Sequence, residues 1–276
     1  MPQADLLGAI VAAARRIVAD RREREPVESL ERRAMLRTPA GAAFREALAA
    51  EPDVNVIAEC KRRSPAKGVL ARDYDPATTA GRYQQGGAAA VSVLTEPTFF
   101  DGALAHLEAV RAATTIPLLR KDFIVDEYQL LEARAAGADA VLLIVAALAE
   151  PELAQLLGKA KALGLGVLVE THSSDEVRAA IDAGATVVGV NSRNLRTLEV
   201  DLRACDRLIG EIPSGTVAIA ESGIKSVDDV RHLHGLGYQG ILVGEWLMTA
   251  PDPASRVREA RAASVRRSRP ATGEMS

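Results

Sequence analysis

Eight short aliphatic runs, residues 54–58, 89–94, 117–119, 140–145, 166–169, 186–190, 216–220 and 240–243, set the main constraint on what this chain can fold into. All are strand-sized, and they read as continuous apolar runs rather than as alternating ones. Strands of that kind are buried on both faces, as in a parallel sheet covered by helices. Between the runs lie segments with helical spacing, at 126–136, 150–163, 174–183 and 226–236. Gly137, Gly164, Gly184 and Gly237 follow them, each placed to end a helix in the left-handed conformation. Asp126, Ser174 and Ser226 are expected to cap the starts, since a short polar side chain accepts from the orphan amides of a first turn. The units recur about 20 to 35 residues apart, which predicts an α/β protein, a closed (β/α)8 TIM barrel. An open doubly wound sheet is the alternative, but no GxGxxG follows the first strand.

Residues 1–50 precede the first strand and are expected to form an N-terminal helical extension of two or three helices, capping the barrel bottom or folding over its top. Residues 51–262 would be the barrel and catalytic domain, and 263–276 a mobile, apolar-poor C-terminal tail. The first apolar stretch is broken by Asp5, Arg15 and Arg16, so it reads as an amphipathic surface helix rather than a membrane span. Lys+Arg number 34 against Asp+Glu 37, a net charge of -3, so no global positive field exists to hold a nucleic-acid backbone. The two cysteines, Cys60 and Cys205, form no CxxC pair, which fits a reducing cytoplasm.

Most of the runs end in a polar or charged residue: Glu59 and Lys61, Thr95 and Glu96, Lys121, Glu170, Asn191, Glu221 and Ser222, Gly244 and Glu245. Active sites of this barrel are built at the C-terminal strand ends, so residue types suited to proton transfer there point to function. Side chains alternate along a strand, so Glu59 and Lys61 should share the lumen face while Cys60 faces the helices. Lys121 lies on a face otherwise built of Leu119 and Phe123 and needs an anionic partner there. Asp122 or a strand-end carboxylate would supply it in a purely structural ion pair. Two ammonium groups and three carboxylates in one mouth can also do acid-base chemistry, with the lysines lowering one another's pKa and adjacent carboxylates raising it. A structural belt of salt bridges is the plainer reading.

Residues 64–68, Ser-Pro-Ala-Lys-Gly, together with Ser222-Gly223 and Gly244-Glu245, could hold a phosphate, because glycine lets backbone amides approach an anion closely. His106, His172, His232 and His234 form no HExxH or paired Cys/His pattern, and no GxSxG elbow exists. His172 could reach the mouth two residues after Glu170, although a core or solvated histidine accounts for it as well.

IAECKRRSPAKG, LTEPTFFDG, PLLRKDFIVDEYQ, GVLVETH, VGVNSRNLRTLEVD and AIAESGI occur in this order, and together they closely resemble indole-3-glycerol-phosphate synthase over roughly residues 50 to 250. The resemblance implies closure of the indole ring of 1-(2-carboxyphenylamino)-1-deoxyribulose 5-phosphate, with loss of carbon dioxide and water, in tryptophan biosynthesis. No cofactor and no metal are implied. The partner would be this small phosphosugar-anthranilate substrate, with no nucleic acid and no membrane, in a cytoplasmic monomer or weak homodimer.

By the same resemblance Lys121 is the general acid and Glu170 the acid or base of the dehydration. Lys61 would meet the substrate carboxylate or share proton transfer, with Glu59 holding it, while Asn191, Glu221 and Ser222 orient hydroxyls and charged groups. Ser64, Gly223 and Gly244 would take the phosphate, and Glu245 would donate only its backbone amide. Phe99, Phe100 and Phe123, with Pro65 and Leu195, would form the slot for the aromatic ring, and Arg193 is a further binding position. Ala66 and Glu245-Trp246 depart from the family's usual serine and small or polar residues. A Schiff-base aldolase also uses a barrel lysine, but commonly at strand six, where this chain has Asn191.

Overall fold

Alternation along each strand sorts the aliphatic side chains into two cores. On β1 (Asn55–Cys60), Val56, Ala58 and Cys60 join an outer core between sheet and helices, while Ile57 joins an inner one in the lumen. The same division runs through β2 (Ala90–Leu94), β3 (Leu118–Lys121), β4 (Ala140–Ile144), β5 (Gly166–Thr171), β6 (Val187–Asn191), β7 (Val217–Glu221) and β8 (Gly240–Val243). Val91 and Val93 face out where Ala90 faces in, and Val141 and Leu143 face out where Leu142 and Ile144 face in. In this computed structural model, which describes residues 5–50, 52–201 and 203–264, the strands are all parallel and close into a barrel. Closure pairs β1 with β8 through Asn55 and Gly240, and with β2 through Ile57 and Ala90. The chain is therefore a (β/α)8 barrel.

Asp126 caps helix Glu127–Ala135 by accepting from the Tyr128 amide at 2.8 Å, and Ser226 caps helix Val227–Leu236 through the Asp229 amide at 3.1 Å. The third expected cap is displaced by one residue. Ser173, not Ser174, accepts from the Glu176 amide at 3.3 Å, and Ser174 is the first residue inside the helix. Two adjacent serines both suit the position chemically, and only the backbone dihedrals choose between them. The four expected helix-ending glycines all have positive φ, from +76° at Gly164 to +121° at Gly237.

The helices of the N-terminal extension lie at both ends of the barrel, and none of their residues lines the cavity described below. Helix α3 (Gly41–Ala49) plugs the bottom: Phe44 and Leu48 are fully buried in the inner core with Ala90, Ala140 and Val187. The Asn55 side chain ties it down by donating to Leu48 O at 2.9 Å and Ala50 O at 2.7 Å. Helix α1 (Leu6–Arg24) instead borders the opposite end, where Leu7 and Ile10 join Phe123, Val125 and Ile144. Asp5 pairs there with Arg196, in the loop after β6, at 2.5 Å. Helix α2 (Val27–Met35) buries Leu30 and Ala34 in the outer core. Ala263 is buried, and residues 265–276, most of the expected tail, lie outside the described residues. Among the described residues, no helix is long and apolar enough to cross a membrane.

Candidate active site

Polar residues replace aliphatic ones at the C-terminal ends of the strands, and their side chains line a cavity of about 440 Å³. Lys121, at the end of β3, reaches across the mouth to two carboxylates: Nζ is 3.1 Å from Glu170 Oε2 on β5 and 3.3 Å from Glu221 Oε2 on β7. The other Glu170 oxygen accepts from Asn191 Nδ2 at 2.9 Å. Asn191 Oδ1 in turn accepts from the Arg193 amide at 2.9 Å, which fixes the orientation of the Asn191 amide. At the end of β1, Glu59 and the next-but-one residue Lys61, just past the strand, form an ion pair and both line the cavity, while Cys60 between them is buried in the outer core. Among the described residues, no group of three or more His, Cys, Asp and Glu side chains is arranged to hold a metal ion.

Two glycines make room for the carboxylates. A Cβ on Gly189 of β6 would lie 2.0 Å from Glu221 Oε1, and one on Gly244 would lie 2.5 Å from Glu59 Oε1. Gly189→Ala is expected to push Glu221 off Lys121, destabilising the barrel by about 1–3 kcal/mol through overpacking and lowering kcat. Thermal melts alongside initial rates check this; an unchanged rate would mean that Glu221 can be displaced without consequence.

The charges of these groups are set by burial and by one another. Burial pulls the Lys121 pKa down, but Glu170, Glu221 and Glu59 outweigh it and raise it well above its ordinary value. Of the two opposing effects expected at this lysine, a second lysine and adjacent carboxylates, that of the carboxylates prevails. Glu170 and Glu221 divide in opposite directions. Burial works against ionising Glu170, but Lys121, His172 and Asn191 prevail and lower its pKa. Burial dominates at Glu221, reinforced by the neighbouring Glu170 carboxylate, and raises its pKa despite Lys121. Two buried carboxylates sharing one ammonium thus separate into a readily charged member and a readily protonated one.

The structural ion pair considered for Lys121 with Asp122 belongs to Arg120 instead. Arg120 points the other way from β3 and is wholly buried, with Nη2 2.9 Å from Asp122 Oδ2 and 3.1 Å from Glu132 Oε2. Thr95 Oγ1 also donates to Asp122 at 2.5 Å. Glu96 caps the turn Pro97–Phe100, accepting from the Thr98, Phe99 and Phe100 amides. Neither Thr95 nor Glu96 lines the cavity.

Ser64, Pro65, Phe123, Arg193, Leu195, Ser222, Gly223, Gly244 and Glu245 all line it. Phe99, also expected there, does not, while Phe100 does, with its ring centroid 6.2 Å from that of Phe123. In a single helical turn adjacent side chains diverge by about 100°, so Phe99 packs on the inner core without facing the cavity. Ser222 and Gly223 follow β7 with φ of +66° and +76°. Ser222 is the less ordinary of the two, since a side chain in that region is strained. Glu245 opens the short helix Glu245–Met248, and its carboxylate is 3.5 Å from Lys67 Nζ, across the mouth in the loop after β1. Lys67, Lys225 and Trp246 also line the cavity; Lys67 and Trp246 were named beside the phosphate site, and Lys225 was not anticipated.

The family model described as indole-3-glycerol phosphate synthase matches residues 7–260. The chain belongs to the indole-3-glycerol phosphate synthase family. Among curated relatives, the indole-3-glycerol phosphate synthase of Parafrankia sp. (strain EAN1pec) is 54% identical over 217 residues, covering 78% of this chain and 81% of the relative. Indole-3-glycerol phosphate synthase 1 of Streptomyces coelicolor is 48% identical over 256 residues, 92% and 94% of the two chains. The fold alone extends further: thiamine phosphate pyrophosphorylase from Pyrococcus furiosus superposes with a TM-score of 0.61 at 19% identity, over 80% of this chain and 96% of that one. Family membership makes the chain a decarboxylating lyase of tryptophan biosynthesis.

Proposed function

We propose that this indole-3-glycerol phosphate synthase closes the ring of 1-(2-carboxyphenylamino)-1-deoxyribulose 5-phosphate with Lys121 as general acid. The observation that carries the proposal is the Lys121 ammonium, held in the mouth between Glu170 and Glu221. As the carboxyl-bearing ring carbon attacks the ribulosyl carbonyl, negative charge develops on oxygen. An ammonium beside that oxygen stabilises it and delivers a proton, an effect of about 10²- to 10⁴-fold. The raised pKa of Lys121 keeps it protonated until an alkoxide, a far stronger base than any carboxylate, forms next to it. Loss of carbon dioxide then restores the aromatic ring, and loss of the new hydroxyl as water gives the indole.

Glu170, charged in the resting site, is suited to the proton transfers of the dehydration. Lys61, paired with Glu59, is available to the substrate carboxylate. Asn191, Glu221, Ser222 and Arg193 would orient the sugar and the charged groups, and Phe100, Phe123, Pro65 and Leu195 would enclose the ring. The phosphate would rest on Ser64, Gly223 and Gly244, with the Glu245 carboxylate turned toward Lys67. In keeping with this reading, the protein would be a cytoplasmic enzyme acting on a small molecule as a monomer or weak homodimer, without nucleic-acid or membrane partners.

The test is to add the carboxyphenylamino ribulose phosphate and follow indole fluorescence. A rise stoichiometric with substrate consumed is expected; silence from folded protein would overturn the proposal. Borohydride treatment during turnover should leave the protein mass unchanged, whereas an adduct on Lys61 or Lys121 would replace general acid catalysis with a Schiff base.

A further inference from the structure

His172 lies one residue beyond β5, beside Glu170, and does not line the cavity. Both of its ring nitrogens face carboxylates. Nδ1 is 3.1 Å from Glu176 Oε2, and the same oxygen accepts from the His172 backbone amide at 2.8 Å. Nε2 is 3.5 Å from Glu170 Oε1 and is buried with no hydrogen-bond partner among the described residues. A neutral imidazole carries a proton on one nitrogen and a lone pair on the other, so one nitrogen would oppose a carboxylate lone pair with its own. Only the imidazolium suits both neighbours. Glu170 Oε1 is also the oxygen turned away from Lys121.

We propose that His172 is a positioning residue for Glu170: anchored by Glu176, it holds the carboxylate charged and aimed at Lys121. This rests on the reading of Glu170 as the acid-base group of the dehydration. The charged groups facing His172 are Glu170 on β5, Glu176 on the helix that follows and Glu221 on β7, with Lys121 of β3 beyond Glu170. Burial alone would make the imidazole harder to protonate, but the Glu176 hydrogen bond and the three carboxylates prevail and raise its pKa.

The test compares His172→Asn with wild type in kcat and KM across pH 5 to 9, beside thermal melts. Asparagine keeps one donor and cannot charge. Without the cation the Glu170 pKa rises, so a step needing its carboxylate fails at a higher pH. The expected result is an acid limb displaced upward by about one unit, so that kcat is lower by up to about threefold at pH 5 and little changed at pH 8, with KM changed less than about twofold. Glu176→Gln should move the limb the same way by less. An unmoved acid limb in both variants overturns the proposal, as does a loss equal at every pH accompanied by a lower Tm, the mark of a merely structural histidine. If His172→Asn does not fold, the acid limb of Glu176→Gln decides alone. Full turnover in Glu170→Gln would instead remove the underlying role of Glu170, whatever the histidine variants do.

Discussion

Lys121→Ala is expected to fold into the same barrel and to turn over about 10²- to 10⁴-fold more slowly, with the loss in kcat rather than KM. The ammonium is matched to charge that develops only as the ring closes, so its removal costs the transition state more than the bound substrate. A pH signature in stability should accompany the kinetic one. In the wild type the Glu170 pKa is lowered on folding, against the effect of burial and chiefly by Lys121. Its charge therefore stabilises the protein above the unfolded value of about 4.3, and that contribution is lost as pH falls through the folded pKa. Without Lys121, burial governs both Glu170 and Glu221, and folded pKa values rise above the unfolded ones. A group of that kind contributes stability below its unfolded pKa and loses it as pH climbs through the folded value. The Tm deficit of Lys121→Ala should consequently widen between pH 5 and pH 8. Kinetics within threefold of wild type would remove Lys121 from the chemistry, and a deficit that shrinks over this range would contradict the charge assignment.

What could be read from residues alone follows a physical division. A charged residue ending an aliphatic run has few explanations, so Glu59, Lys121, Glu170 and Glu221 stood out, and period-two alternation placed Lys61 with Glu59 and Cys60 opposite them. Alternation also separates Arg120 from Lys121, but it says nothing of a partner more than a few residues away, and Glu132 on the next helix was invisible. Phe99 and Phe100 differ only in the rotational phase of one short turn, which no longer pattern surrounds to define. The amphipathic helices before β1 announced a buried face without saying what covers it, and α1 and α3 bury theirs at opposite ends of the barrel. Glu245 made sense only once Lys67, 178 positions earlier in the chain, was seen across the mouth. Gly189 gave no signal of its own, because its reason is the Glu221 side chain on the neighbouring strand.

Glu170→Gln changes one atom and should be nearly as damaging as loss of the lysine. The Glu170 oxygens both accept, from Lys121 Nζ at 3.1 Å and from Asn191 Nδ2 at 2.9 Å. A glutamine offers one acceptor and one NH2, so one donor must face another. Asn191 cannot relieve this by flipping, since its oxygen is engaged by the Arg193 amide. The misplaced amide costs about 1–3 kcal/mol as an unsatisfied buried group, and the site loses a group able to take and return a proton. Turnover is expected to fall by about 10²- to 10⁴-fold. Because the carboxylate's contribution to stability exists only above its unfolded pKa of about 4.3, the Tm gap between wild type and variant should narrow as pH approaches 4. Removing the repelling neighbour should also lower the Glu221 pKa, leaving Glu221 as the charged partner of Lys121. The variant can then keep its ion pair and its fold while losing its chemistry. Single-turnover rates at saturating substrate decide the matter: a near wild-type rate would make Glu170 a structural partner of Lys121 and nothing more.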